Sequence, residues 1–326
     1  MSIWYAICEA LPFEMLQWDF MKNALLALLL MAPLFGLLST MIVTGRMSFF
    51  SDALGHSAFT GIAIGAICGA AAPIWVAVVF SVVFALLFSW VRSRSNHAAD
   101  TLIGVFSSTA VALGIFAATL GGGSFTKYNK YLIGDILSVT PGQIGMLALT
   151  LVGVLVLWVL FSNRLTLTAI HPHLASSRGI PVGLSQTLFT TAIAVVVTLA
   201  ISWVGLLIIN SLLVLPAASA RNISRNMKQY FIISVVLALF AGLSGIVLSY
   251  YWGASAGASI SLVLSSMVKL RLTVRTNDPS AYTYTVNANG VDTVYTGEDL
   301  VKVSDGVYYL YFDQLKATGF DSVVTA

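Results

Sequence analysis

Residues 46–69 read RMSFFSDALGHSAFTGIAIGAICG, and the fold of the whole chain turns on this run. It holds Asp52, one of three acidic residues between Lys22 and Arg275, the others being Asp100 and Asp135. His56 follows four residues later. Four residues turn an α-helix by about 400°, so the carboxylate and the imidazole lie one above the other on one face. At the head of an otherwise apolar segment they can offer oxygen and nitrogen to one divalent cation. The same positions also suit a simpler role, with Asp52 capping the helix N-terminus and His56 in a satisfied hydrogen bond. Against that role, ionisable residues within membrane segments are costly and usually mark an ion or proton path. Gly61, Gly65 and Gly69 continue the run as a small-xxx-small ladder. Rotation turns them away from the Asp/His face, where another helix can approach closely. One Asp and one His fall short of the four ligands a closed metal site takes. A two-fold dimer with both pairs facing its axis supplies two carboxylates and two imidazoles.

Outward from this run the chain is 58% hydrophobic and only 9% charged, with a mean hydropathy of +0.91. Soluble domains carry about 25% charged residues, so the composition is that of a polytopic membrane protein. The formal charge of +3 is unevenly spread. Residues 1–276 hold fourteen Lys/Arg against six Asp/Glu, and the last fifty hold two against seven. The basic excess belongs to membrane loops, and nucleic acid need not be invoked. Cys8 and Cys68 are the two cysteines and make no disulfide framework or CxxC site. Residues 1–22 interleave Trp4, Tyr5, Phe13, Trp18 and Phe20 with Glu9, Glu14 and Asp19. That pattern lacks the basic start and apolar run of a signal peptide and suits an external interfacial segment at headgroup depth.

Apolar stretches at about 23–44, 55–72, 74–91, 101–120, 143–161, 185–203, 204–220, 230–250 and 253–270 predict eight or nine transmembrane helices within residues 23–276. The pair spanning 185–220 also reads as one broken helix with a re-entrant piece. Alternate loops sort the basic residues eleven against three. The richer set, from Arg46 to Arg275, is expected in the cytoplasm, with the N-terminus outside and the C-terminus inside. The loop 162–184, SNRLTLTAIHPHLASSRGIPVGL, falls on the cytoplasmic side and is too polar to span. Its small residues before Arg178-Gly179-Ile180-Pro181 predict a short helix stopped by glycine, either a docking element or an ordinary connector. The external loop 121–140 opens with three glycines and carries Asp135. Residues 277–326 change character. Strand-like runs such as YTYTV and VYYLYF, with Asn289-Gly290 and Asp305-Gly306 between them, predict a small β-rich soluble tail of hairpins.

Other motifs carry less. Gly253-Ala-Ser255-Ala-Gly257 matches G-x-S-x-G, but no strand precedes it and close helix packing accounts for it. HExxH and the P-loop lysine motif are both absent from the sequence. His97 beside Asp100, and His171 with His173, read as solvated loop histidines. Asn210, within IINSLLVLP, reads as a hydrogen-bonding partner for a neighbouring helix or as the lining of a pathway.

Three stretches together resemble a known family. RMSFFSDALGHSAFTGIAIG, HPHLASSRGIPVG and VGLLIINSLLVLPAASAR, with supporting features in Asp100 to Gly114, are similar to the membrane permease of bacterial metal-specific ABC-3 importers for zinc, manganese or iron. The likeness covers about residues 20–272, and the tail departs from it. The resemblance implies a transport subunit and not an enzyme, in the bacterial plasma membrane, with metal coordination on Asp52 and His56. It also implies that the loop holding His171, Ala175, Arg178, Gly179 and Pro181 rests on a cytoplasmic ABC ATPase, although the family often has an Asp at or near His171. An extracytoplasmic metal-binding protein delivers the ion, ATP is bound by the partner chain, and no cofactor is held permanently. A homodimer working by alternating access is the expected assembly. A gradient-driven metal carrier without an ATPase is the alternative, which calls for more acidic residues within spans or matching interrupted helices.

Overall fold

Apolar runs bounded by proline or a small polar residue fold as helices in the computed structural model of this chain. It describes residues 2–9, 14–70, 72–95, 98–120, 136–275, 283–288, 291–296, 299–304, 307–313 and 319–323. The helices are α1 (Ser2–Glu9), α2 (Asp19–Thr44), α3 (Phe50–Ile67), α4 (Pro73–Arg94), α5 (Ala99–Leu120), α6 (Pro141–Ile170), α7 (Pro172–Ser177), α8 (Val182–Val204), α9 (Leu206–Ile223), α10 (Met227–Trp252) and α11 (Ala256–Met267). Three of them begin on a proline, whose missing N–H and fixed φ suit the first helical turn. α6 is further fixed by a capping box between Thr140 and Gln143. The Asn226 side chain accepts a hydrogen bond from the Gln229 N–H at the head of α10.

Among the described residues seven helices, α2, α4, α5, α6, α8, α9 and α10, are long and apolar enough to cross a membrane. That is fewer than the eight or nine expected, the difference being α3 and α11, which miss the mark on apolar content or length. The stretch at 55–72 belongs to α3, which carries Asp52, His56 and several small polar residues. The stretch at 253–270 yields only the twelve residues of α11. The loop expected at 162–184 is also shorter than expected. α6 stays helical to Ile170, about 45 Å in all. Among the polar residues at this end, Thr168 is satisfied within the helix, since its hydroxyl donates to the Arg164 and Leu165 carbonyls. The pair at 185–220 is two helices broken at Gly205, whose φ of 90° and ψ of 160° are open essentially to glycine alone.

The core forms around α2 and α3. Sixteen of the 26 residues of α2 are buried, and it packs against α6, α9 and α10. α3 lies between α4 and α5. Gly61 makes the closest approach to a neighbouring backbone: a Cβ there would stand 2.4 Å from the Ala77 Cα of α4. Phe50, Phe88 and Phe106 link α3, α4 and α5, with ring centroids 4.7 and 5.5 Å apart. Hydroxyls join the helices elsewhere, as expected where water is scarce. Ser57 meets Ser81 at 3.0 Å, and Thr60 donates to the Ala110 carbonyl at 2.6 Å. Ser39 meets Ser234 at 3.0 Å, and Ser211 meets Ser261 at 2.6 Å.

Outside the bundle, α1 is tied to the head of α2. Lys22 is buried and its ammonium reaches Glu9 at 2.9 Å and Asp19 at 3.3 Å, while Tyr5 donates to Asn23. Cys8 and Cys68 are both free. After Met267 the described residues form short strands that begin at Lys269, earlier than the tail boundary of 277. They pair as two three-stranded antiparallel sheets, β1 (Lys269–Arg275) with β5 (Val307–Asp313) and β4 (Val301–Ser304), and β2 (Thr283–Ala288) with β3 (Val291–Tyr295) and β6 (Gly319–Val323). The turn dipeptides Asn289-Gly290 and Asp305-Gly306, His97, and residues 121–135 of the external loop with Asp135 lie outside the described residues.

Candidate functional site

The first turn of α3 carries Asp52 and the second carries His56. Asp52 Oδ2 and His56 Nε2 are 3.5 Å apart, too long for a strong hydrogen bond. Two ligands each about 2.1 Å from a tetrahedral metal ion stand about 3.4 Å from one another, so the spacing is that of two groups able to share a cation. The pair is open: the Asp52 side chain is 45% exposed and that of His56 28%. Phe49, 66% exposed, and Leu207, 49% exposed, lie close by in sequence to Asp52 and to Asn210. The glycine ladder serves the other side of the helix. Gly61 and Gly65 abut α4, as the rotation predicts. Gly69 meets nothing within 4 Å, and it ends α3 with a φ of 67°, so the third rung is a turn residue and not a packing one.

A third group completes the site from 158 residues away. The Asn210 side-chain amide of α9 donates to Asp52 Oδ1 at 3.1 Å. An ionised carboxylate only accepts, so the amide nitrogen faces it. The Asn210 carbonyl oxygen is left buried with no hydrogen-bond partner. Gly55 admits this neighbour, because a Cβ there would meet the Leu206 side chain at 2.2 Å. Of the two sequence readings of Asn210, the interhelical hydrogen bond is realised. Its partner, Asp52, was not legible in the sequence.

Depth follows from helix geometry. Asn210 precedes Arg221 by eleven residues of continuous helix, about 16 Å along α9. Against a hydrocarbon core of about 30 Å, Asp52 and Asn210 therefore sit near mid-depth relative to the Arg221 end. A half-exposed carboxylate at that depth cannot face lipid at acceptable cost, so its open side must meet water, an ion or another polypeptide. Among the described residues no group of three or more His, Cys, Asp or Glu gathers anywhere. Asp52 and His56 are two of the four ligands that a closed site takes.

The turn between α6 and α8 is built as the sequence suggests. α7 ends in a Schellman motif: the Ile180 N–H donates to Ala175 O and the Gly179 N–H to Ser176 O, with Gly179 at φ 72°. Ala175 is buried against the bundle, while His171, His173, Leu174, Arg178, Gly179 and Pro181 are exposed. The five residues expected at a docking surface therefore share one short turn, but only four of them face outward. Ser255 lies in the bend between α10 and α11 with no strand before it, and no acid or histidine is hydrogen-bonded to it among the described residues.

The chain is similar to known proteins along most of its length. The family model described as the ABC 3 transport family matches residues 17–275. The high-affinity zinc uptake system membrane protein ZnuB of Haemophilus influenzae is 27% identical over 256 residues, covering 78% of this chain and 98% of that protein. The manganese transport system membrane protein MntC of Halalkalibacterium halodurans is 27% identical over 257 residues, covering 79% and 88%. Among solved structures, PsaBC from Streptococcus pneumoniae in complex with a Fab matches with a TM-score of 0.68 and 26% identity, covering 82% of this chain and 94% of that one.

Proposed function

This chain belongs to the ABC 3 transport family, and on that premise we propose that it is the permease subunit of an ATP-binding-cassette importer that carries zinc or manganese across the bacterial plasma membrane. The observation that supports this reading best is the open Asp52/His56 pair, set at ligand spacing and near mid-depth. The relatives named for zinc and for manganese transport match this chain over 256 and 257 residues. The ion is cargo, held briefly and released.

The pair is too small a set for one ion, and its open side needs a partner. A second copy across a two-fold axis brings two carboxylates and two imidazoles to one cation. Exposed Phe49 and Leu207 then meet their counterparts instead of lipid. Asn210 orients Asp52, and two helix N-termini, of α3 and of α9, lie beside the carboxylate and favour its negative charge. Oxygen and nitrogen donors together suit Zn²⁺, Mn²⁺ and Fe²⁺, so the ligand types alone set no order among them.

In this scheme the ion arrives outside from an extracytoplasmic metal-binding protein and leaves inward by alternating access when a cytoplasmic ATPase binds and hydrolyses ATP. The exposed face of α7, with His171, Arg178, Gly179 and Pro181 around the buried Ala175, rests on that ATPase. The N-terminus with the 1–22 interfacial segment lies outside. Residues 23–276 form the permease domain, and the acidic segment 277–326 lies on the cytoplasmic side.

Uptake by proteoliposomes containing this chain and its candidate ATPase tests the reading. Wild type is expected to take up zinc or manganese only with ATP, and His56→Ala to lose that uptake while keeping the ATPase bound. Uptake indifferent to ATP would replace the importer with the gradient-driven carrier.

A further inference from the structure

Arg46, Arg221 and Arg225 surround one cleft, where the ends of α2, α6 and α9 meet the start of α10. All three arginines are exposed, and no carboxylate pairs with any of them among the described residues. Tyr230 forms part of the same wall at 4% exposure. Its hydroxyl stands near Thr44 but has no hydrogen bond of acceptable geometry. Arg46 holds a left-handed φ of 53°, a conformation unfavourable for any residue with a Cβ. A helix C-terminus accounts for Arg221 alone, which lies in the last turn of α9. It does not account for Arg46 and Arg225 converging on the same space.

Three guanidinium groups with no carboxylate partner among the described residues, a buried tyrosine and the N-terminus of α10 form a receptor for a phosphate-type anion. Position selects the source of that anion. The cleft lies where membrane-spanning helices end, and the exposed apolar side chain of Ile170 lines it, with exposed Ile223 next in sequence to the lining residue Ser224. A free ion has no use for those neighbours, and a lipid does. We infer that this cleft binds the phosphate headgroup of an anionic phospholipid, with its glycerol and upper acyl chain against Ile170 and Ile223. Assignment to the cytoplasmic leaflet rests on the orientation proposed above; the binding itself does not. A seated headgroup ties the α2–α3 turn, which leads to Asp52, to the end of α6, which leads into α7.

The test uses the purified full chain in nanodiscs of phosphatidylcholine with or without phosphatidylglycerol, read by native mass spectrometry for retained lipid and by Tm. Wild type should retain one phosphatidylglycerol and gain Tm from it. Arg46→Gln, Arg221→Gln and Arg225→Gln should each weaken retention about fivefold, following roughly 1 kcal/mol per basic group near an anionic surface. Arg221→Lys should keep most of it, which separates lost charge from lost folding. Equal retention by the triple glutamine variant would overturn the inference. So would inorganic phosphate reproducing the whole Tm gain in phosphatidylcholine alone, which would assign the cleft to a free anion. Retention of the candidate ATPase in phosphatidylcholine discs by wild type but not by the triple variant, with no phosphatidylglycerol effect, would assign the cleft to a protein contact. The readout needs neither metal nor ATP, so its failure leaves the transport reading standing.

Discussion

α3 and α6 differ most where a hydropathy profile would rank them. α6 is 30 residues long with a strongly apolar stretch, yet only 17% of that stretch is buried, and Leu149, Val159 and Leu160 are all exposed. α3 is 18 residues long and is not among the seven apolar spans, yet thirteen of its residues are buried. Hydropathy thus ranks helices by what they can show to lipid. A helix enclosed by α4, α5 and α8 need not satisfy lipid, and it is free to carry Asp52, His56, Ser57 and Thr60. The candidate site belongs to a helix that a hydropathy profile passes over.

The sharpest way to break this contrast is to force α3 away from α4. Gly61→Leu places side-chain atoms where even a Cβ would lie 2.4 Å from the Ala77 backbone. Overpacking typically costs about 1–3 kcal/mol and more where backbone must move. The expected result is loss of a monodisperse peak in size-exclusion chromatography, and a normal peak would show that α3 is not held against α4 at this point.

Asp52→Ala separates site from scaffold. The side chain is half-exposed, so Tm should stay within about 1 kcal/mol of wild type, while ATP-dependent uptake falls to background in proteoliposomes. Normal uptake would remove Asp52 from the site. Asn210→Leu is expected to be milder, because Asn210 acts through Asp52. Partners that orient a ligand typically contribute about 10–100-fold in metal affinity. An unchanged affinity for zinc and manganese, measured by competition with a chelating dye, would reduce the Asn210 contact to packing. Gly205→Ala should destabilise by roughly 1–3 kcal/mol through the φ of 90° that it must then adopt, read as a fall in Tm. Val159→Ala, on the lipid-facing side of α6 and 79% exposed, should move stability by less than about 0.5 kcal/mol. A large effect there would mean that α6 packs on a further polypeptide.

Legibility followed the range of the interaction. Asp52 and His56 were readable as a pair because four residues of helix fix their relation locally. Gly61 and Gly65 were readable as a packing face for the same reason, and Gly179 as the stop of α7 because a Schellman turn is local too. Gly69 was misread as a third rung, since a helix ladder and a helix terminator look alike until the φ is known. The continuation of α6 to Ile170 was hidden because threonine looks polar in a sequence, while its hydroxyl can be satisfied by its own helix. Asn210 stood out as a polar residue among apolar ones, but nothing local told it apart from any other buried amide.

Taken alone, the sequence determined that the chain is a membrane protein and that its basic residues alternate between loops. It also determined that one carboxylate and one imidazole share a helical face. Composition, periodicity and spacing are properties of the covalent chain, and they survive without knowledge of neighbours. Tertiary structure decided which helices face lipid and which face each other, that Asn210 meets Asp52, and that three distant arginines enclose one cleft. Those outcomes depend on contacts between segments far apart in sequence, whose energies no local pattern encodes.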